Sequence, residues 1–106
     1  NLKTNTYYPL AKKYFPKGVG SIFTFSVKGG EISARLLIDN LTLFSNLANV
    51  ADSKSLVIHP ASTTHQQLSP EQQLQAGVTP GQIRLSIGTE NIADLITDLS
   101  SALDKI

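Results

Sequence analysis

Arg84 sits within the alternating run QIRLSIG, where Ile83, Leu85 and Ile87 fall on one face of a strand and Gln82, Arg84 and Ser86 on the other. The chain has only one other arginine, Arg35, which lies in a helical stretch with Asp39 four residues on. The planar fork of a guanidinium suits two-point recognition of a carboxylate or phosphate, which a lysine ammonium does not reproduce. The same placement equally describes an exposed strand arginine whose stem covers apolar surface, and spacing alone leaves both roles open. Asn49, in the run LANV ahead of Asp52, presents a similar choice. It is either a turn residue bonded to its own backbone or an amide offered to a ligand.

His59 and His65 bracket the hydroxyls of Ser62, Thr63 and Thr64. The histidine spacing matches no compact zinc pair and no cysteine is present to complete a set, so no metal site is expected. A serine or threonine nucleophile needs a base and an orienting acid converging on it, and His65 beside Thr64 in sequence is not that geometry. The hydroxyls are expected to bond loop backbone. The run Lys17-Gly18-Val19-Gly20 is too short for a phosphate loop and reads as a hinge.

The elements that must position these side chains follow from periodicity. Residues 5–15 space Tyr7, Leu10, Ala11 and Tyr14 as a short helix, with Pro9 tolerated only in its first turn, closing at Pro16. Residues 21–28 alternate as a half-buried strand with Phe23, Phe25 and Val27 on one face and Thr24 and Ser26 on the other. Residues 31–44 predict the longest apolar-faced helix, with a stripe of Ile32, Leu36, Leu37, Leu41 and Phe44 and an Arg35–Asp39 pair opposite. The polar and apolar run 44–52 predicts one short strand or an irregular crossing. Residues 55–59 predict a strand with Leu56 and Ile58 on one face, stopped by Pro60.

Ser69-Pro70-Glu71-Gln72 reads as a cap, a first-turn proline and a capping-box glutamine, opening a helix that Gly77 closes; Thr79-Pro80-Gly81 is a turn. After the strand 82–88, Asn91 caps a helix striped with Ile92, Leu95, Ile96, Leu99 and Leu103. The sum is a small α+β domain, a two-layer sandwich whose largely antiparallel sheet is covered by helices on one face. The other face, with Thr24, Ser26, Arg84 and Ser86, is left for water or for a partner domain.

With 106 residues, 41% of them hydrophobic, the chain is one domain with a single core. Nine basic against eight acidic residues, without a basic stripe interleaved with aromatics, argue against nucleic acid as a partner. No apolar run approaches the roughly 20 residues that span a bilayer, so no membrane partner is expected. The chain opens Asn1-Leu2-Lys3 and contains no methionine, which suggests a piece of a longer protein. The lack of cysteine inclines the expectation toward the cytoplasm.

The stretches FSNLANVADSKSLVIHPASTTH (residues 44–65) and RLSIGTENI (residues 84–92), together with YFPKGVGSIFTFSVKGG (residues 14–30), resemble the C-terminal domain of the pyridoxal-phosphate enzymes of cysteine and methionine metabolism. The resemblance is strongest to the O-acetylhomoserine sulfhydrylases. It implies that residues 1–106 are the small C-terminal domain of a fold-type I enzyme whose large, pyridoxal-phosphate-binding domain lies upstream and is absent here, so this piece alone is inactive. Matched by motif, Arg84 would bind the substrate's α-carboxylate, and Asn49 would lie against the same carboxylate where related γ-lyases and synthases usually have serine. Ala51 stands where the family commonly has glycine. No catalytic or cofactor-binding residue is expected within this piece. The implied reaction makes homocysteine or methionine from O-acetylhomoserine and sulfide or methanethiol. The implied partners are an amino-acid substrate, the chain's own large domain and further copies in a homotetramer. A cystathionine γ-synthase or methionine γ-lyase fragment, or a stand-alone module for amino-acid binding or assembly, are the alternatives.

Overall fold

The computed structural model describes residues 3–49 and 52–106. Its elements are helix α1 (Tyr8–Tyr14), strand β1 (Ile22–Ser26), helix α2 (Gly30–Asn40), the two-residue strand β2 (Ser45–Asn46), strand β3 (Leu56–Ile58), a 3₁₀ turn (Pro60–Ser62), helix α3 (Pro70–Gln75), strand β4 (Gln82–Ser86) and helix α4 (Ile92–Leu103). The strand order is β1-β4-β3-β2. β4 pairs antiparallel with both β1 and β3, but β2 runs parallel to β3, so the sheet is mixed rather than largely antiparallel. The 47–55 crossing causes this: it carries the chain back to the end of the sheet where β2 began, and β3 must then run the same way.

The core lies between the sheet and helices α2 and α4. Val57, Ile83 and Leu85 meet Ala34, Leu37, Ile38, Leu41, Leu95 and Ala102, all buried. The buried face of α2 is therefore Ala34-Leu37-Ile38-Leu41, a spacing of three, four and seven. Of the expected stripe Leu37, Leu41 and Phe44 are buried, but Ile32 is 74% and Leu36 45% exposed, and Ala34 and Ile38 take their place. The helix also ends early, at Asn40. Leu41 turns extended, the Asn40 amide bonds Leu36 O at 2.7 Å, and the Asp98 carboxylate takes the N–H groups of Thr42 and Leu43 that helical continuation would have used inside the helix. In α4, Leu95 and Ala102 are the buried positions, with Leu99 partly buried and Ile92, Ile96 and Leu103 exposed.

Local signals are realised where they depend only on neighbours. Ser69 and Gln72 form both bonds of the capping box, at 2.9 and 3.2 Å. Asn91 Oδ1 accepts from Ala93 N–H at 2.9 Å at the start of α4. Gly77, at φ +81°, ends the α3 turn in a conformation that side chains disfavour. No helix among the described residues is long and apolar enough to cross a membrane.

Candidate carboxylate-binding site

The alternation of β4 sets the direction of Arg84. Ile83 and Leu85 are fully buried under the helices, so Arg84 and Ser86 project from the opposite face. In register, Arg84 stands between Thr24 of β1 and Ile58 of β3, and Ser86 between Ile22 and Leu56. This second face is divided. On the β1 side Thr24 and Ser26 are exposed, whereas on the β3 side Leu56, Ile58 and Ser86 are each 2% exposed. The expectation of a continuous polar face is corrected at Ser86, whose hydroxyl is buried and makes no hydrogen bond among the described residues.

Arg84 is half-buried, with hydroxyl-bearing surface on one side and an aliphatic wall on the other. Among the described residues its guanidinium has no hydrogen-bond or ion-pair partner. A cation so placed attracts an anion more strongly than one fully in water, because the aliphatic wall lowers the local dielectric. Arg35 is the contrast: it is exposed and paired to Glu31, with Nη2 at 2.8 Å and Nε at 2.9 Å from Oε1. The expected Arg35–Asp39 pair is replaced by Glu31–Arg35, the acid-first order that a helix favours at a spacing of four.

Asn49 is exposed in the 47–55 crossing, and its Nδ2 donates to Asp52 Oδ2 at 3.4 Å. Asn46 opposes Val57, so the chain leaving β2 advances toward the level of Ile58, which opposes Arg84. The crossing that holds Asn49 thus departs at the end of the sheet where Arg84 lies, two strands away. Ala51 lies outside the described residues.

Two carboxylates missed by sequence reasoning hold the segment from Thr42 to Ser55 at its ends, Asp98 before β2 and Glu90 after the crossing. Glu90 accepts the Ser55 N–H at 2.9 and 3.0 Å and the Ser55 hydroxyl at 3.1 Å. Asp98 accepts the N–H groups of Thr42 and Leu43 and the Thr42 hydroxyl at 2.8–2.9 Å, ahead of β2. The Ser55 N–H chiefly holds the Glu90 carboxyl below its ordinary pKa. For Asp98, burial pushes the pKa up, but the donors of Thr42, Leu43 and Phe44 together outweigh it and hold the carboxyl below the usual value. Their partners are 35 and 54–56 residues away in sequence, so no local pattern marks either acid.

His59 is buried at 3% exposure with both ring nitrogens engaged, Nε2 with Pro80 O and Nδ1 with Ser62 Oγ at 2.7 Å. A carbonyl only accepts, so Nε2 carries hydrogen toward Pro80, and Nδ1 shares a hydrogen bond with the Ser62 hydroxyl. This ties the 3₁₀ turn to the residues that lead into β4. With a carbonyl rather than an acid behind the ring, the pair is a brace and not an activated nucleophile. Thr63 Oγ1 bonds His59 O at 2.8 Å, as expected of a loop hydroxyl, while Thr64 Oγ1 pairs with His65 Nδ1 at 2.8 Å. Among the described residues no three His, Cys, Asp or Glu side chains converge as metal ligands would.

Every described lysine is exposed, and Lys12 and Lys13 lie over the rings of Tyr8 and Tyr14. None is buried in the way that imine chemistry asks of a lysine.

A profile of the family described as Cys/Met metabolism PLP-dependent enzyme matches residues 1–104. The O-acetyl-L-homoserine sulfhydrylase of Leptospira meyeri is 56% identical over 106 residues, 99% of this chain and 24% of that protein. O-acetyl-L-homoserine sulfhydrylase 1 of Thermus thermophilus is 50% identical over 96% of this chain and 24% of its own length. Among solved structures, a putative O-acetylhomoserine (thiol)-lyase of Campylobacter jejuni, with N′-pyridoxyl-lysine-5′-monophosphate, superposes with a TM-score of 0.87 at 50% identity, covering 97% of this chain and 24% of that one. Cystathionine gamma synthase of Xanthomonas oryzae in complex with cystathionine superposes at 0.85 with 36% identity, covering 98% of this chain and 27% of its own. The chain therefore spans about a quarter of the length of the relatives it matches.

Proposed function

The chain belongs to the Cys/Met metabolism PLP-dependent enzymes, and from that membership we propose that it is the small C-terminal domain of an O-acetylhomoserine sulfhydrylase and supplies the grip on the substrate's α-carboxylate. The observation that carries the reading is Arg84: a half-buried guanidinium on a central strand, without an acidic partner among the described residues. A built-in carboxylate would have satisfied it had its role been to stabilise the sheet. Asn49, on the crossing that leaves β2 toward the level of Arg84, would add a neutral donor to the same carboxylate.

These residues orient the substrate. Two parallel N–H···O bonds from Arg84 fix the plane of the carboxylate and so the rotation of the amino acid about its Cα, while the Leu56 and Ile58 wall limits water around the ion pair. Pyridoxal phosphate does not fit the residues present, for every described lysine is exposed and none lines the cleft beside Tyr8 and Phe23 or the one beside Arg35 and His59. We assign the cofactor, and all bond-making, to the preceding large domain of the longer polypeptide, and the isolated chain is inactive. What supports a docked domain is the apolar surface of Tyr7, Leu10, Tyr14, Phe15, Val19 and Phe23, each 47–69% exposed. In the whole enzyme, placed in the cytoplasm as a homotetramer, O-acetylhomoserine and sulfide give homocysteine and acetate, with methanethiol giving methionine instead.

A second reading within the family is favoured by the 41% identity to the L-methionine gamma-lyase of Fusobacterium nucleatum and by the cystathionine gamma synthase fold match. Both identities fall below those of the sulfhydrylases. The experiment is homocysteine formation from O-acetylhomoserine and sulfide by the full-length protein and by its Arg84→Ala variant. The expected result is activity in the first and a loss in kcat/KM worth about 2–5 kcal/mol in the second, the range for unpairing a buried charge. An inactive full-length protein, or a fully active variant, would overturn the reading.

A further inference from the structure

Asn49 stands outside the strands and Arg84 within one, and something must set the distance between them. Asn49 stands on a long crossing with few buried side chains, whereas Arg84 is held by ladders on both sides. The link is visible in the chain of bonds that joins the two. β4 ends at Ser86, and the chain then passes through Gly88 and Thr89 to Glu90. Gly88 N–H donates to Ser55 Oγ at 2.8 Å, and the N–H of Thr89 donates to Ser53 O at 2.8 Å. The Thr89 hydroxyl reaches the same carbonyl at 3.2 Å.

Glu90 closes the clasp on the Ser55 N–H and hydroxyl, so the fully buried Ser55 is bonded from two sides. From there Lys54 N–H donates to Asp52 Oδ1 at 3.0 Å, and Asp52 Oδ2 accepts from the Asn49 amide. A Cβ added at Gly88 would collide with Ser53 O and Glu90 Oε1, an independent sign that the two segments are clasped at backbone contact.

Resting on the carboxylate-binding reading above, we propose that Glu90 is a positioning residue: by clasping Ser55 to the end of β4 it sets Asn49 at a fixed distance from Arg84. It touches neither substrate nor cofactor. Its effect reaches the substrate through Ser55, Asp52 and Asn49. The carboxylate form is the one that serves, since a protonated carboxyl loses acceptor capacity toward the Ser55 N–H and hydroxyl together. Glutamine keeps the shape and one acceptor, so Glu90→Gln loosens the clasp without emptying the space.

The test is steady-state kinetics of the full-length enzyme carrying Glu90→Gln, Asn49→Ala or both. Glu90→Gln is expected to raise KM for O-acetylhomoserine about tenfold while kcat and KM for sulfide stay within about twofold, the pattern of lost substrate binding. On the Asn49→Ala background it is expected to add almost nothing, since both changes act through one contact. An unchanged KM in Glu90→Gln beside a raised KM in Asn49→Ala would overturn the positioning role alone. Full additivity, or equal damage to both substrates' KM and to kcat, would reduce Glu90 to a general stabiliser and likewise overturn it. An unchanged KM in Asn49→Ala would overturn the site reading together with the inference.

Discussion

The two arginines occupy regions of opposite design. Arg35 lies on the solvent face of α2, with side-chain exposure of 57%, beside a glutamate one turn earlier that neutralises it. Arg84 stands between two neighbouring strands, half-buried, with a threonine and an isoleucine where an acid could have stood. An exposed helical pair contributes a few tenths of a kcal/mol and leaves nothing to recognise a ligand. A partly desolvated, unpaired guanidinium is costly to the fold on its own and gains that back when an anion arrives. What separates the surface charge of Arg35 from the binding charge proposed for Arg84 is the supply of partners, more than the residue type.

The largest expected effect tests the proposed role of Arg84, and whether geometry or charge would carry it. Arg84→Lys in the full-length enzyme keeps the charge but loses the fork, and should recover little of the kcat/KM that Arg84→Ala removes. A lysine enzyme close to wild type would reduce the site to a point charge. Next, Thr24→Asp gives Arg84 the kind of partner Arg35 already has, directly across the β1–β4 ladder. It should lower kcat/KM for O-acetylhomoserine about tenfold with the fold intact. Unchanged kinetics would place the substrate away from the β1 side.

Acid titration probes the scaffold around Arg84. The Glu90 and Asp98 carboxyls titrate below their ordinary values in the folded protein. Each therefore adds stability that is complete above the unfolded-state value, near 4.5 for Glu90 and 3.8 for Asp98, and declines as pH falls through and below it. The melting temperature of the full-length protein should fall more steeply below about pH 4.5 in wild type than in Asp98→Asn or Glu90→Gln, which lack the titrating group. Identical slopes would exclude both acids as linked groups. Smallest of all, Arg35→Ala should change stability by no more than about 0.5 kcal/mol and leave kcat/KM untouched. A kinetic effect there would erase the contrast between the two arginines.

Much of this arrangement is legible along the chain. The capping box at Ser69, the Asn91 cap and the alternation that turns Arg84 away from Ile83 and Leu85 all depend on residues within a few positions, and each is realised. The motifs around Asn49 and Arg84 were enough to suggest the family. Errors arise where several local solutions compete. Ile32 and Leu36 form as good a stripe as Ala34 and Ile38, and only the neighbouring α4 and sheet select the second. Arg35 had acids on both sides, and helix geometry chose Glu31.

By itself the sequence determined the helices with strong caps, the two alternating strands and the direction of Arg84, because backbone periodicity and capping act over one or two turns. Tertiary structure alone decided that β2 runs parallel to β3, that Ser86 is buried while Thr24 is not, and that Asp98 and Glu90 clamp the chain just ahead of β2 and just ahead of β3. A carboxylate finds its N–H donors by proximity in space, and the donors of these two lie 35 to 56 residues away in sequence, brought within hydrogen-bonding distance only after sheet and helices have packed.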